Sequence, residues 1–381
     1  MNSFTYYNPT RIEFGQDKEN MIGTLMSEQG IKRILLAYGT GSIKKNGLYQ
    51  RIIASLIAAG IEYEELDGIV SNPLLSRVQD GIHLVKSKNL QAVLGVGGGS
   101  VVDSAKAIAA GALYDGDVWD FFIQKATITQ AIPVYAVMTL AATASEMNGN
   151  SVVMNETTQQ KYSIASVLLN PKISVINPAL MATVTNDYLA YSATDIIAHT
   201  IEVYFTATNH PHLQSRFVES IIKTVIETTE ILLHDPLNYN ARAEFAWAST
   251  QALNGLTTSG TKGGNFPNHM IEHSLSALFN VAHGAGLSIV IPAWMKWYKV
   301  NNFPQFERFA KEVFGLQTAD EGIRALERWF HSIGTPIRLS DANIPRESID
   351  KLAQNAHGLA VLWGLGEEYT IENIIEILNN A

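Results

Sequence analysis

Residues 90–112 read LQAVLGVGGGSVVDSAKAIAAGA. An apolar run of strand type ends at Gly97, Gly98 and Gly99, and an alanine-rich, helix-forming segment starts at once. A strand, a glycine turn and a helix in that order make half of a βαβ unit, and such units build a parallel sheet through right-handed crossovers. Glycines let backbone N–H groups approach a phosphate closely, and the positive end of the new helix faces it. Ser100 is placed to cap that helix and to donate to a phosphate oxygen. The spacing is not GxGxxG, so the usual dinucleotide fingerprint is absent. A tight turn with no ligand is the plain alternative; three consecutive glycines favour the ligand.

The same texture surrounds this stretch. KRILLAYG, IEYEELDG and IPVYAVMT are further short apolar or β-branched runs, with helix-length segments at Tyr49–Gly60 and Leu74–Leu90. This alternation predicts a doubly wound α/β fold with a mostly parallel sheet. SVVMNETTQQKYSIAS reads as a hairpin with a polar tip, and KISVINP as one more strand. From Asn177 onward nearly everything is helical, as in Asp187–Thr206, His212–His234, Asn240–Thr257 and Phe303–Val313. The expected organisation is an α/β dinucleotide-binding domain over 1–183 and an all-α domain over 184–381, with the active site in the cleft between them.

Of the 381 residues, 46% are hydrophobic and 17% charged, which fits a globular chain. A net charge of −9 disfavours nucleic acid and anionic membrane as partners. The absence of cysteine excludes disulfides, thiolate zinc sites and a cysteine nucleophile, and fits a reducing compartment. MNSFTYYNPTRIEFG shows no signal-peptide pattern, and runs such as ILLAYG fall far short of the roughly 20 residues of a membrane span. A cytoplasmic location is expected.

Two further clusters carry chemistry. The loop AYGTGSIKKNG follows an early strand, where dinucleotide folds often meet the adenosine ribose. Gly39, Thr40, Gly41 and Ser42 offer no carboxylate for a 2′-hydroxyl, and Lys44 and Lys45 follow, which favours NADP(H) over NAD(H). In ATDIIAHTIEVYF, residues 193–205, Asp195 and His199 stand four apart and share a helix face. NHMIEHSLSALFNVAHG, residues 268–284, repeats the spacing in His269 and His273 and places His283 in a loop. Imidazoles with one carboxylate suit Fe²⁺, Zn²⁺ or another divalent first-row metal; the alternative is a buried polar network. Glu202 sits near the metal helix and fits a solvated face equally well, as does Glu272. Trp247, Trp294, Trp297, Trp329 and Trp363 are read as core or interface packing, and Met270 and Phe279 as lining pocket or core.

Taken in order, TYYNPTRIEFG, GGGSVVDSAK, TLAATASEMNGNSVV, NPALM, DIIAH and HMIEHSLSALFNVAHG span nearly the whole chain. On these motifs the sequence resembles the iron-containing (group III) alcohol dehydrogenases. WASTQALNGL and YGTGSIKKNG make it most similar to their NADPH-dependent aldehyde reductases, often called butanol dehydrogenases. The resemblance implies a dehydroquinate synthase-like architecture and four metal ligands, Asp195, His199, His269 and His283, with His273 as a catalytic histidine for proton traffic. It also implies that Gly98, Gly99, Ser100 and Asp103 bind the cofactor pyrophosphate and nicotinamide ribose. Thr139, Thr143 and Lys161 align along the cofactor, Asn150 at its substrate side and Asn72 near its adenosine side. Leu140 departs from the family's threonine pair. The implied activity is hydride transfer between NADP(H) and small to medium primary alcohols or aldehydes, with Fe²⁺ ahead of Zn²⁺. A homodimer through the strand Phe4–Phe14 is implied as well. The rival is an NAD(H)-dependent glycerol or diol dehydrogenase of the same superfamily, against which the four-ligand set argues.

Overall fold

In the computed structural model, which describes residues Met1–Ala381, the apolar runs become strands. In chain order these are β1 (Arg11–Phe14), β2 (Arg33–Gly39), β3 (Glu62–Ile69), β4 (Ala92–Gly97), β5 (Val134–Met138), β6 (Asn150–Asn155), β7 (Gln160–Ala165) and β8 (Ile173–Ile176). Six form one sheet in the order β1-β8-β5-β4-β2-β3, with every neighbouring pair parallel. β6 and β7 make the expected antiparallel hairpin. Every residue of β4 and β5 is buried, which is why they read as continuous apolar runs rather than alternating ones. Helices α1 (Leu48–Ala58), α2 (Leu75–Ser87) and α3 (Gly99–Gly111) supply the crossovers. Leu36, Tyr38, Leu94, Val96, Tyr135, Val137 and Val175 share one core, each contributing roughly 1.5–3 kcal/mol by burial.

Tertiary contacts divide the chain into Tyr7–Thr183, which holds this sheet, and Val184–Ala381 together with Met1–Tyr6. The strand expected over Phe4–Phe14 is shorter than the sequence reading. Asn8 Oδ1 accepts from the Thr10 backbone N–H and Pro9 has no N–H to give, so pairing begins only at Arg11.

The second unit is helical: α4 (Asn186–Thr206), α5 (His212–His234), α6 (Tyr239–Ala252), α7 (Pro267–Phe279), α8 (His283–Tyr298), α9 (Phe303–Phe314), α10 (Ala319–Ser332), α11 (Ile349–Leu362) and α12 (Ile371–Asn379). α4 is capped by Thr185, whose hydroxyl accepts from the Tyr188 N–H. It is buried on all sides from Ser192 to Thr206, with α5, α6, α7 and α8 packed around it. Its last turn enters an aromatic core in which Phe205 stacks on Phe306 at 4.0 Å. α6 stops at Ala252, not at the expected Thr257, because Asn254 Oδ1 takes the Leu256 N–H and Gly255 turns left-handed. Trp294 and Trp329 are buried in the core, whereas Trp247 is 42% exposed and so lies outside it, which leaves its interface reading open. Met270 is buried. No helix is long and apolar enough to cross a membrane.

Candidate metal centre

α4, α7 and α8 bring together four side chains that stand up to 88 positions apart in sequence, by the numbers of Asp195 and His283. The Nε2 atoms of His199, His269 and His283 lie 3.6, 3.6 and 3.5 Å from Asp195 Oδ1. Ligand atoms about 2.1 Å from one first-row metal ion stand roughly 3.4 Å apart in a tetrahedral arrangement, so the set fits an ion. Asp195 Oδ1 and His269 Nε2 are buried without a hydrogen-bond partner, which is costly unless something positive sits between them. The side chains of Asp195, His199 and His269 are less than a tenth exposed, while that of His283 is 25% exposed, so solvent reaches the cluster at His283.

Two acids behind the imidazoles hold them in place. Glu202 and Glu272 are completely buried, which decides against the solvated face and for the place near the metal helix. Glu202 Oε1 accepts from His269 Nδ1 at 2.9 Å and from the His269 backbone N–H at 3.0 Å; its Oε2 accepts from the Asn268 backbone and side chain. Glu272 accepts from His283 Nδ1 and from the Ser276 hydroxyl. A proton held at Nδ1 leaves the Nε2 lone pair free for a metal. Spacing was the missed signal: Asp195, His199 and Glu202 fall at i, i+4 and i+7 on a helix that has no wet side.

The field of the cluster favours a cation at its centre. Burial alone would raise the Asp195 carboxyl, but His199, His283 and His269 together hold it below the usual carboxylate range. Burial would lower His269, yet Asp195 and Glu202 raise it to about 9. Whatever positive charge occupies this cage, proton or metal, is stabilised by three acidic side chains.

His283 opens a helix instead of lying in a loop: Asn280 is left-handed, Ala282 is extended, and α8 begins at His283. Gly284 lets the first turn of that helix lie against α4, since a Cβ there would come within 2.0 Å of the Tyr191 carbonyl oxygen. His273 stands beside the cluster, its ring 5.8 Å from His283 and edge-on to Trp363 at 6.1 Å.

The remaining candidates lie in the sheet unit. The carboxyl ends of the adjacent strands β2, β4 and β5 carry Gly39–Ser42, Gly98–Ser100 and Thr139–Thr143 to one edge of the sheet, where open α/β sheets bind ligands. The Thr139 N–H donates to Gly97 O at 2.9 Å. Gly99 is required by packing, because a Cβ would come within 2.4 Å of Thr143 Oγ1. Ser100 is not the cap: α3 starts one residue earlier, Gly98 flanks it, and no side chain caps it. Asp103 turns inward, its carboxylate accepting from Ser145 Oγ at 2.6 Å and from the Val152 N–H at 3.0 Å. Asn72 takes a left-handed conformation after β3. Asn150 begins β6, and Lys161 is buried on β7. Although the 38–42 loop has no acid of its own, β3 brings Glu65 close. It accepts from the Tyr38 hydroxyl and from the Tyr49 hydroxyl at 2.7 Å, and lies 3.6 Å from Lys44 Nζ.

Family comparison agrees with this geometry. Residues 9–178 match the iron-containing alcohol dehydrogenase profile and residues 189–381 match the Fe-containing alcohol dehydrogenase family, C-terminal profile. The chain belongs to the iron-containing alcohol dehydrogenases and is an oxidoreductase of that class. It is 38% identical to the probable NADH-dependent butanol dehydrogenase 1 of Bacillus subtilis, over 99% of each chain. It is 33% identical to the NADPH-dependent aldehyde reductase YqhD of Escherichia coli, over 97% of each. Its fold superposes on the crystal structure of NADH-dependent butanol dehydrogenase A from Thermotoga maritima with a TM-score of 0.97 and 45% identity, covering 100% of this chain and 99% of that one.

Proposed function

We propose that this chain interconverts small to medium aldehydes and primary alcohols, using NADP(H) in preference to NAD(H). The observation that carries the reading is the convergence of three imidazole Nε2 atoms on Asp195 Oδ1, in a cage built for a cation. Asp195, His199, His269 and His283 would hold a divalent metal, Fe²⁺ ahead of Zn²⁺. Bound there, the metal would supply Lewis-acid polarisation of the carbonyl, and the nicotinamide would supply hydride. Glu202 and Glu272 keep the imidazoles in the binding tautomer. The Gly98–Gly99 turn presents backbone N–H groups at the positive end of α3 for the pyrophosphate. Besides Asp195, Glu202 and Glu272, segments 193–205 and 268–284 contain no charged residue that could recognise a charged substrate, which supports a neutral aldehyde.

The preference for NADP(H) is supported by the Gly39–Ser42 loop, which offers no carboxylate to a ribose diol. The nearby acid, Glu65, is already matched by two tyrosine hydroxyls and Lys44, and Lys45 is exposed on the same turn. The deciding assay strips the metal, reloads Fe²⁺ or Zn²⁺, and follows NADPH and NADH consumption with butanal. Metal-dependent turnover with kcat/KM for NADPH at least about tenfold above NADH is expected. Turnover confined to NADH and glycerol or a diol would redirect the assignment to the rival dehydrogenases.

We assign His273 the task of passing a proton toward the product oxygen, on its place beside His283 and Trp363. His273→Ala should lower kcat by about 10²-fold with metal content intact, and an unchanged kcat from about pH 6 to about pH 9 would remove the role.

A further inference from the structure

We infer that Lys106 is a positioning residue for the cofactor edge of the sheet unit, acting through Thr143; the inference rests on the reading that Gly98–Ser100 and Thr143 meet the cofactor. Lys106 lies on α3, seven residues beyond Gly99, and none of its surface is exposed. Its Nζ reaches Ser145 Oγ at 2.8 Å, Asn148 Oδ1 at 3.0 Å and the Asn150 carbonyl at 2.8 Å. Ser145 gives its own proton to Asp103 Oδ1, so its oxygen is the acceptor toward lysine. The other two partners are carbonyl-type oxygens and can only accept. One nitrogen thus donates three times, which only an ammonium does. Its countercharge, Asp103, is reached through the Ser145 hydroxyl.

A buried ammonium is a poor device for stability alone, since replacing buried ion pairs by apolar groups is often neutral or favourable. What this one secures is a place in the fold. Two of its three partners also hold Thr143. The Ser145 N–H donates to Thr143 Oγ1 at 3.2 Å, and Asn148 Nδ2 donates to the Thr143 carbonyl at 3.2 Å. Thr143 in turn packs its hydroxyl directly over Gly99, leaving no room for a Cβ there. The chain of contacts runs Lys106 to Ser145 and Asn148, then Thr143, then the glycine turn. α3 therefore carries both the turn at its start and, two turns on, the charge that seats the opposing threonine.

The test is a double-mutant cycle on the metal-loaded enzyme with Lys106→Met and Thr143→Ala, reading KM and Kd for NADPH separately from kcat and from aldehyde KM. Loss of one ordered hydroxyl contact corresponds to about tenfold in cofactor KM, so each single variant should show a rise of that order. Aldehyde KM should stay put, and the double variant should be no worse than Thr143→Ala alone. Additive effects, or a lowered Tm with cofactor KM unchanged, would show that Lys106 merely staples the β6–β7 hairpin and would overturn the inference. Should Lys106→Met fail to fold, Ser145→Ala removes the Lys106–Ser145 arm and the hydroxyl that donates to Asp103 while keeping the Asn148 arm, so a smaller rise in cofactor KM is expected and an unchanged one again overturns the inference. A Thr143→Ala enzyme that binds NADPH normally would sink the cofactor reading of Thr143 and this inference with it. A normal Lys106→Met beside an impaired Thr143→Ala would sink the inference alone.

Discussion

Replacing Asp195 by alanine should leave a folded protein that retains almost no metal after dialysis and turns over at least about 10³-fold more slowly. Asp195 is the one anionic donor among the four candidate ligands, and its Oδ1 is the atom that all three Nε2 atoms face. Without it, three neutral imidazoles must hold a dication with no charge of their own in the first ring of contacts. α4 itself should survive, because its other buried residues and its Thr185 cap do not depend on this carboxylate. Metal content by plasma mass spectrometry, read beside butanal turnover, decides the matter. Full metal occupancy in the variant would show that the convergence on Asp195 serves the packing of α4 and not an ion.

The second large effect is expected one layer further out. Glu202→Gln keeps the size of the side chain but changes what it can accept. In the native protein four donors converge on Glu202: the backbone and side-chain N–H groups of Asn268, and the backbone N–H and Nδ1 of His269. An amide keeps one accepting oxygen, enough for the His269 pair of donors or for the Asn268 pair, and turns an NH₂ toward the other; in either orientation the negative charge that strengthens the hold on His269 Nδ1 is gone. Metal affinity should fall about 10–100-fold. Buried donors left unmatched should also destabilise the fold by about 1–3 kcal/mol. Competition with a fluorescent chelator measures the first, thermal unfolding of stripped protein the second. Metal affinity equal to the native value would confine Glu202 to a structural role.

What the sequence discloses depends on the range of each signal. The glycine turn, the alternating strands and the helical second half are local patterns, and the six parallel strands and α4 lie where those patterns fall. Asp195, His199 and His269 were legible as candidates because buried histidines at helical spacing are uncommon without a task. Glu202 and Glu272 carry no local sign of burial because a glutamate on a helix is solvated by default, and only the largely apolar runs around them on α4 and α7 contradict that default. His283 reads as a loop residue in sequence because Ala282 is not a capping residue, so nothing local announces the start of α8. At Ser100 the converse holds: a good capping residue stands close to a glycine, Gly98, that takes the position. Lys106 and Glu65 owe their surroundings to segments 39 and 27 residues away, at Ser145 and Tyr38, and no local pattern carries that information.

The sheet order places β1, from the beginning of the chain, against β8, with Arg11 opposite Ile173. On the ribosome this has a consequence for timing. At about 5–20 residues per second, the roughly 160 residues between the two partners take about 10–30 s to appear, and the first strand has no place to pair until they do. During that interval β2 to β5 are already available to one another, so the nascent sheet grows from its middle and receives its N-terminal edge last. Protein released early, or truncated before Ile176, would carry an unpaired amino-terminal tail and an open flank at β5.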